Sequence, residues 1–326
     1  MSIKVANDRH YFLVAKRMLE GEVVPFLGAG VNLCGRPDGT HWKKGEFMPN
    51  AAELAAALAE GVGYPDPEDR DLMRISQYVD AVLGPKALYQ YVRDPLNADY
   101  RPTALHRFFA AMAGLLRERN TPRQVILTTN YDDALEVAFV ERGEPYDLIW
   151  YAATGPDSGR FIHARNGAPV AIVRPNEYDE LDPDERTVIV KLHGAMVRDD
   201  AAHDSYVITE DDYIRYLTRS DIASQLPAVL RQRITERHLL FLGYRMRDWN
   251  LRVVLERLGG NDVLGSQSWC VQRAPATEAS TEIELTLWGE RDVDLIFMLL
   301  DAYVERLGEQ LARLGAPPRQ LVAPGA

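Results

Sequence analysis

Val125 to Asp133 reads VILTTNYDD, and this stretch decides the fold. An apolar run of Val125, Ile126 and Leu127 breaks into Thr128, Thr129, Asn130, Tyr131, Asp132 and Asp133. A helical pattern (Ala134, Leu135, Val137, Ala138, Phe139) follows at once. A buried parallel strand ending in amide and carboxylate side chains delivers them to the crevice where open α/β sheets take their ligands.

Three further stretches share this grammar. Val23 to Gly30 (VVPFLGAG) runs an apolar strand into a Gly-Ala-Gly turn, Thr187 to Gly194 (TVIVKLHG) ends in Lys191, His193 and Gly194, and His238 to Asp248 (HLLFLGYRMRD) ends in Gly243, Tyr244, Arg245, Arg247 and Asp248. Strands alternating with helices predict an α/β fold, a Rossmann-like doubly wound parallel sheet.

Bulk composition narrows the function. The 326 residues are 46% apolar, enough for a large core, and carry a net charge of −11. That balance argues against a nucleic-acid partner, because phosphate-backbone binding needs clustered Lys and Arg. No run approaches membrane-spanning length, and Met1 to Glu20 carries charges throughout without a signal-peptide core, so a cytoplasmic protein with no membrane partner is expected. Two cysteines, Cys34 and Cys270, build neither a disulfide framework nor a four-cysteine zinc site. Cys270 lies in an apolar strand pattern that favours a buried thiol, and Cys34 has no evident neighbouring base.

Working outward along the chain, helices are expected over Asn7 to Glu20, Ala51 to Glu60, Leu72 to Leu83, Thr103 to Arg119, Asp132 to Arg142, from Ile208 onward with Thr209 as N-cap, Arg247 to Leu258 and Leu299 to Leu314. Late strands are expected at Ser268 to Gln272 and Val293 to Met298. Asp147 to Ala152 and Gly159 to Ala164 alternate like half-buried strands, and Asn166-Gly167 is a hairpin-type turn before Pro169 to Val173. One domain is expected over 1–314, with a helical insertion at 31–121 and a small β insertion at 143–186. A flexible tail is expected at 315–326.

Each motif carries two readings. Gly28-Ala29-Gly30 either brings backbone N–H groups to a phosphate or is a structural tight turn, and Leu33 stands where the full dinucleotide fingerprint has its third glycine. Of Asn130 and Asp132, one is expected to cap the following helix, with Asp133 sharing that task, and the other to hold ribose hydroxyls or a water. His193 is either a satisfied strand-end histidine or a general base. The other histidines show no metal-ligand spacing, and no metal is expected. Arg245, Arg247 and Asp248 either bind phosphate or form salt bridges at a helix start.

In this order and spacing, FLGAGVN, LTTNYDD, VKLHG and FLGYRMRD resemble the sirtuin superfamily, closest to its bacterial branch associated with phage defence, over about Val23 to Arg273. The resemblance implies NAD as ligand, Asn130 and Asp132 at the nicotinamide ribose and His193 as the catalytic histidine. The cofactor-binding set it implies is Gly28, Ala29, Gly30, Asn32, Thr129, Gly243, Tyr244 and Arg247. Deacylase sirtuins carry a four-cysteine zinc module after the His motif, and this chain has no cysteine there, so no zinc ribbon is expected. Asn32 stands where many sirtuins have Ser, and Thr129 where Gln is usual. The expectation is an NAD+ glycohydrolase that releases ADP-ribose and nicotinamide as the toxic effector of an anti-phage system, with NAD as substrate. A homo-oligomer is expected, with a partner protein such as an ATPase or sensor as a further candidate. The alternatives are a silent NAD or ADP-ribose sensor and, behind it, a protein deacylase or ADP-ribosyltransferase.

Overall fold

The computed structural model describes residues 7–164, 169–218, 222–244, 249–258 and 266–316. Asn7 accepts the His10 N–H and starts α1 (Asp8–Leu19), and Gly21, at φ 71°, turns the chain into β1 (Val23–Leu27). Past a short 3₁₀ turn at Ala29–Leu33 come α2 (Ala51–Val62), α3 (Leu72–Leu83), α4 (Pro85–Leu96) and α5 (Ala104–Glu118). The middle of the chain supplies β2 (Val125–Thr128), α6 (Ala134–Arg142), β3 (Tyr146–Tyr151), β4 (Phe161–Ala164), β5 (Val170–Ala171) and β6 (Thr187–Lys191). A hairpin of β7 (Gly194–Ala195) and β8 (Ser205–Tyr206) leads to α7 (Glu210–Thr218), α8 (Ile222–Gln225) and α9 (Ala228–Thr235). The chain continues through β9 (His238–Leu242), α10 (Trp249–Leu258), β10 (Ser268–Gln272), α11 (Glu278–Gly289), β11 (Val293–Phe297) and α12 (Leu300–Arg313). The Asn166-Gly167 turn and most of the expected tail lie outside the described residues.

Nine strands form one sheet in the order β11-β10-β9-β1-β2-β6-β3-β4-β5, parallel except for β4 and β5. The period-2 alternation of a strand explains its two faces. Val24, Phe26, Leu127, Val190 and Phe241 point into a core shared with α7 to α11, whereas Leu27, Ile126, Ile189 and Leu240 point into one shared with α1, α5, α6 and α12. Within the segment 143–186, β3 pairs in parallel with β6, and β4 and β5 extend the edge of the sheet. Helices α2 to α4 build a third core of their own around Leu58, Ile75 and Val92, joined by Tyr206 and Ile208, while α5 packs on the sheet. Among the described residues no helix is long and apolar enough to cross a membrane.

The sheet grows in one direction from β1 through β2 and in the other from β1 through β9. Ligands of such sheets bind outside the carboxyl ends of the strands at this switch point. The four motifs converge there.

Candidate functional site

At the end of β1 the backbone of Gly28 packs on that of Gly243 at the end of β9. A Cβ on Gly30 would lie 2.8 Å from the Gly243 Cα, and one on Gly28 2.8 Å from the Gly243 carbonyl. Gly243 itself sits at φ 78°, open to glycine and costly for other residues. The N–H groups of Gly28 and Gly30 donate to the Leu242 and Gly243 carbonyls at 2.9 and 3.0 Å. These glycines therefore let two strand-end turns touch, and their N–H groups are spent inside the protein rather than offered to a phosphate. Ala29 and Asn32 border the cleft instead.

β2 ends in a chain of hydrogen bonds. The Thr128 hydroxyl donates to the Leu27 carbonyl at 2.8 Å and accepts the Asn130 N–H at 3.0 Å. Thr129 and Tyr244 join their hydroxyls at 2.7 Å, and Tyr244 also donates to the Leu27 carbonyl at 3.1 Å, so Tyr244 ties β1, β2 and β9 together. Asn130 reaches the Gly28 carbonyl with its amide at 3.2 Å. Asp133 stands at the N-cap position of α6 and makes no side-chain cap bond. Asp132 accepts the Ala134 N–H at 3.2 Å with one oxygen and the Asn32 amide at 2.7 Å with the other, so it serves the helix end and the cleft together. Asp133 instead pairs with Arg198.

β6 delivers Lys191 and His193. His193 is 4% exposed, with its ring edge-on to Tyr213 and Tyr216. Its Nδ1 lies 3.5 Å from the Tyr213 hydroxyl, and Nε2 has no hydrogen-bond partner among the described residues. Burial lowers its pKa to about 3, so the imidazole is neutral at physiological pH. Behind Asp132, His106 is also buried and bonds Thr103. Burial lowers its pKa to about 4, with the Asp132 charge pulling the other way.

The cleft measures about 390 Å³, within the range of small-molecule sites. It brings together Ala29, Asn32, Thr129, Asn130, Asp132, His193 and Tyr244. Gly30 and Gly243 lie outside its lining, in the wall of a second pocket of about 130 Å³ that also holds Cys34, Gln272 and Asp301 and that shares Tyr244 with the first. Arg247, with Arg245 and Asp248, lies outside the described residues. Cys34 is buried, and burial together with the Asp301 carboxylate raises its thiol to about 12, far from a reactive thiolate. Among the described residues no group of three or more His, Cys, Asp or Glu is placed to hold a metal ion.

Sequence reasoning misses the opposite wall of the cleft, built by Asn50, Leu54, Asp71 and Met73 of the helical insertion, and also Tyr213. Asn50 and Asp71 carry an N-cap signal that explains them fully, and both do cap helices, α2 and α3.

Residues 124–296 match the SIR2-like domain family. The chain is 24% identical over 257 residues to a protein named NAD(+) hydrolase ThsA from Acinetobacter baumannii (strain 532279), covering 78% of this chain and 42% of that protein. A protein of the same name from Cytobacillus dafuensis is 22% identical over 258 residues, with the same coverage. Defense-associated sirtuin 2 of Bacillus subtilis is 24% identical over 235 residues, 72% of this chain and 19% of that protein. The chain thus spans less than half the length of these relatives.

Proposed function

This chain belongs to the SIR2-like family, and we propose that its cleft hydrolyses NAD+ at the bond between nicotinamide and ribose. The observation that carries the reading is the meeting of Asn130, Asp132 and a neutral His193 on one cleft at the switch point of the sheet. The names of the two hydrolase relatives support the same substrate.

The chemistry asks little of the protein. The glycosidic electron pair returns to the nicotinamide nitrogen, which is cationic in NAD+, so the leaving group departs neutral and needs no acid. The ribose passes through an oxocarbenium-like state, as in glycoside cleavage. Water adds to that carbon and must lose one proton. His193 accepts it. A poorly basic imidazole suffices, because water bonded to an oxocarbenium carbon is a strong acid. Asn130 orients the ribose or the water, and Asp132 holds a hydroxyl. The two pockets that share Tyr244 suit the two halves of a dinucleotide, with the Gly-Ala-Gly turn between them.

In this reading the activity serves defence, here against phage, in line with the defence role in the name of the Bacillus subtilis relative, and it works within a homo-oligomer that a partner such as an ATPase or sensor can join. The test is nicotinamide and ADP-ribose release from NAD+ by the purified protein, alone and with its cognate assembly. Equal yields of the two products support hydrolysis, and label left on protein points to transfer. The burial of His193, 4% exposed, favours one second reading, a site that binds NAD+ without turnover at rest. Tight binding by calorimetry with no product in any assembly would select it.

A further inference from the structure

Lys191 ends β6 between Thr128 of β2 and Trp150 of β3, on the side of the sheet that Ile189 shares with α5 and α6. Its side chain is 1% exposed. The Nζ lies 2.5 Å from the Asp132 carbonyl, 2.5 Å from a Glu136 carboxylate oxygen and 3.5 Å from the Tyr131 carbonyl. The Tyr131 carbonyl also accepts the Met196 N–H at 2.8 Å, so the close partners of Lys191 are Glu136 and the Asp132 carbonyl, the latter in the turn that carries Asn130 and Asp132.

We propose that Lys191 is a positioning residue: its buried ammonium holds the Asp132 carbonyl and so sets the turn that presents Asn130 and Asp132 to the cleft. Stability alone does not account for the pair, since a buried ion pair is often no more stabilising than apolar side chains of equal volume. Anchoring does account for it. With the Asp132 carbonyl turned down onto Lys191, the turn sends the Asp132 carboxylate to Asn32 and the Asn130 amide to Gly28. Glu136, also buried on α6, neutralises the ammonium, so no net positive charge stands behind a site where cationic character develops on the substrate.

The kinetic part of this inference rests on the NAD+ reading, and its structural part does not. The decisive variant is Lys191→Met combined with Glu136→Leu, which removes both charges and leaves neither stranded. It is expected to melt near the wild-type temperature. Amide hydrogen exchange at 130–134 should nonetheless be about tenfold faster than in wild type. The kcat for NAD+ should fall about a hundredfold, the scale of a misplaced catalytic constellation, with KM changing far less. Wild-type exchange at these amides, or a kcat within about twofold of wild type, would overturn the proposal, since the apolar pair would restore a merely structural role. Should the double variant not fold, Lys191→Arg keeps the charge but changes its reach and is read the same way; unchanged exchange and kcat in it would overturn the proposal. A wild-type protein without NAD+ turnover refutes the hydrolase reading, while the exchange measurement still decides the role of Lys191.

Discussion

The Asn32 amide donates to the Asp132 carboxylate at 2.7 Å, joining the β1 and β2 motifs across 100 residues of sequence. Both side chains are buried at the cleft. Asn32→Ala takes a partner from a buried carboxylate, a loss of about 1–3 kcal/mol. Urea unfolding should show that loss, and kcat/KM for NAD+ should fall by about tenfold as Asp132 loses its fixed orientation. Asn32→Asp should cost more, because it sets a second carboxylate against the first. A variant with wild-type stability and kinetics would refute the coupling.

The contact of Gly30 with Gly243 makes the next expectation steric. Gly30→Ala must push two turns apart, at a cost of about 1–3 kcal/mol of overpacking. Gly308→Ala is the control: it sits inside α12 with nothing within 4 Å of an added Cβ, and it should gain about 0.5–1 kcal/mol from the usual helix preference. Thermal melts of the two variants should move in opposite directions. If Gly30→Ala melts like wild type, the two turns do not touch as described.

The depressed pKa values of His193 and His106 fix the sign of a pH effect. In the unfolded chain each imidazole takes a proton below about 6.5, whereas in the folded protein neither does until about 3 for His193 and about 4 for His106. Their contribution to stability is therefore complete above the unfolded value and is lost as pH falls, by up to about 1.4 kcal/mol per pH unit for each group. Urea unfolding at pH 7 and pH 5 measures the loss, and His193→Gln should reduce it by about 2 kcal/mol. A loss unchanged in that variant would show that His193 ionises normally in the folded protein.

Much of the fold was legible because its central strands are buried on both faces. Val23–Leu27, Thr187–Lys191 and Ser268–Gln272 are unbroken buried runs, and His238–Leu242 is buried past its first residue; all end in or lead into polar or glycine residues, a pattern that needs no tertiary context. Two helices were not legible. α4 starts on Pro85 and contains Pro95, a residue type that disfavours helix interiors, and α11 leaves Ile283 and Leu287 in solvent, so its stripe is not one-sided. The strand-end half of the cleft could be read from motif order. Its other wall could not, because Asn50 and Asp71 are accounted for locally as caps and meet the cleft only through tertiary packing. The Gly-Ala-Gly turn was legible as a place needing glycine, but the reason is Gly243, 213 residues beyond Gly30 and invisible to any local window.

The most direct test of the central claim is nicotinamide release from NAD+ by the wild-type protein in its active assembly beside His193→Ala under the same conditions. Loss of a positioned base should slow release by about 10²–10⁴-fold while the variant stays folded and still binds NAD+. Equal rates in the two proteins would contradict the account.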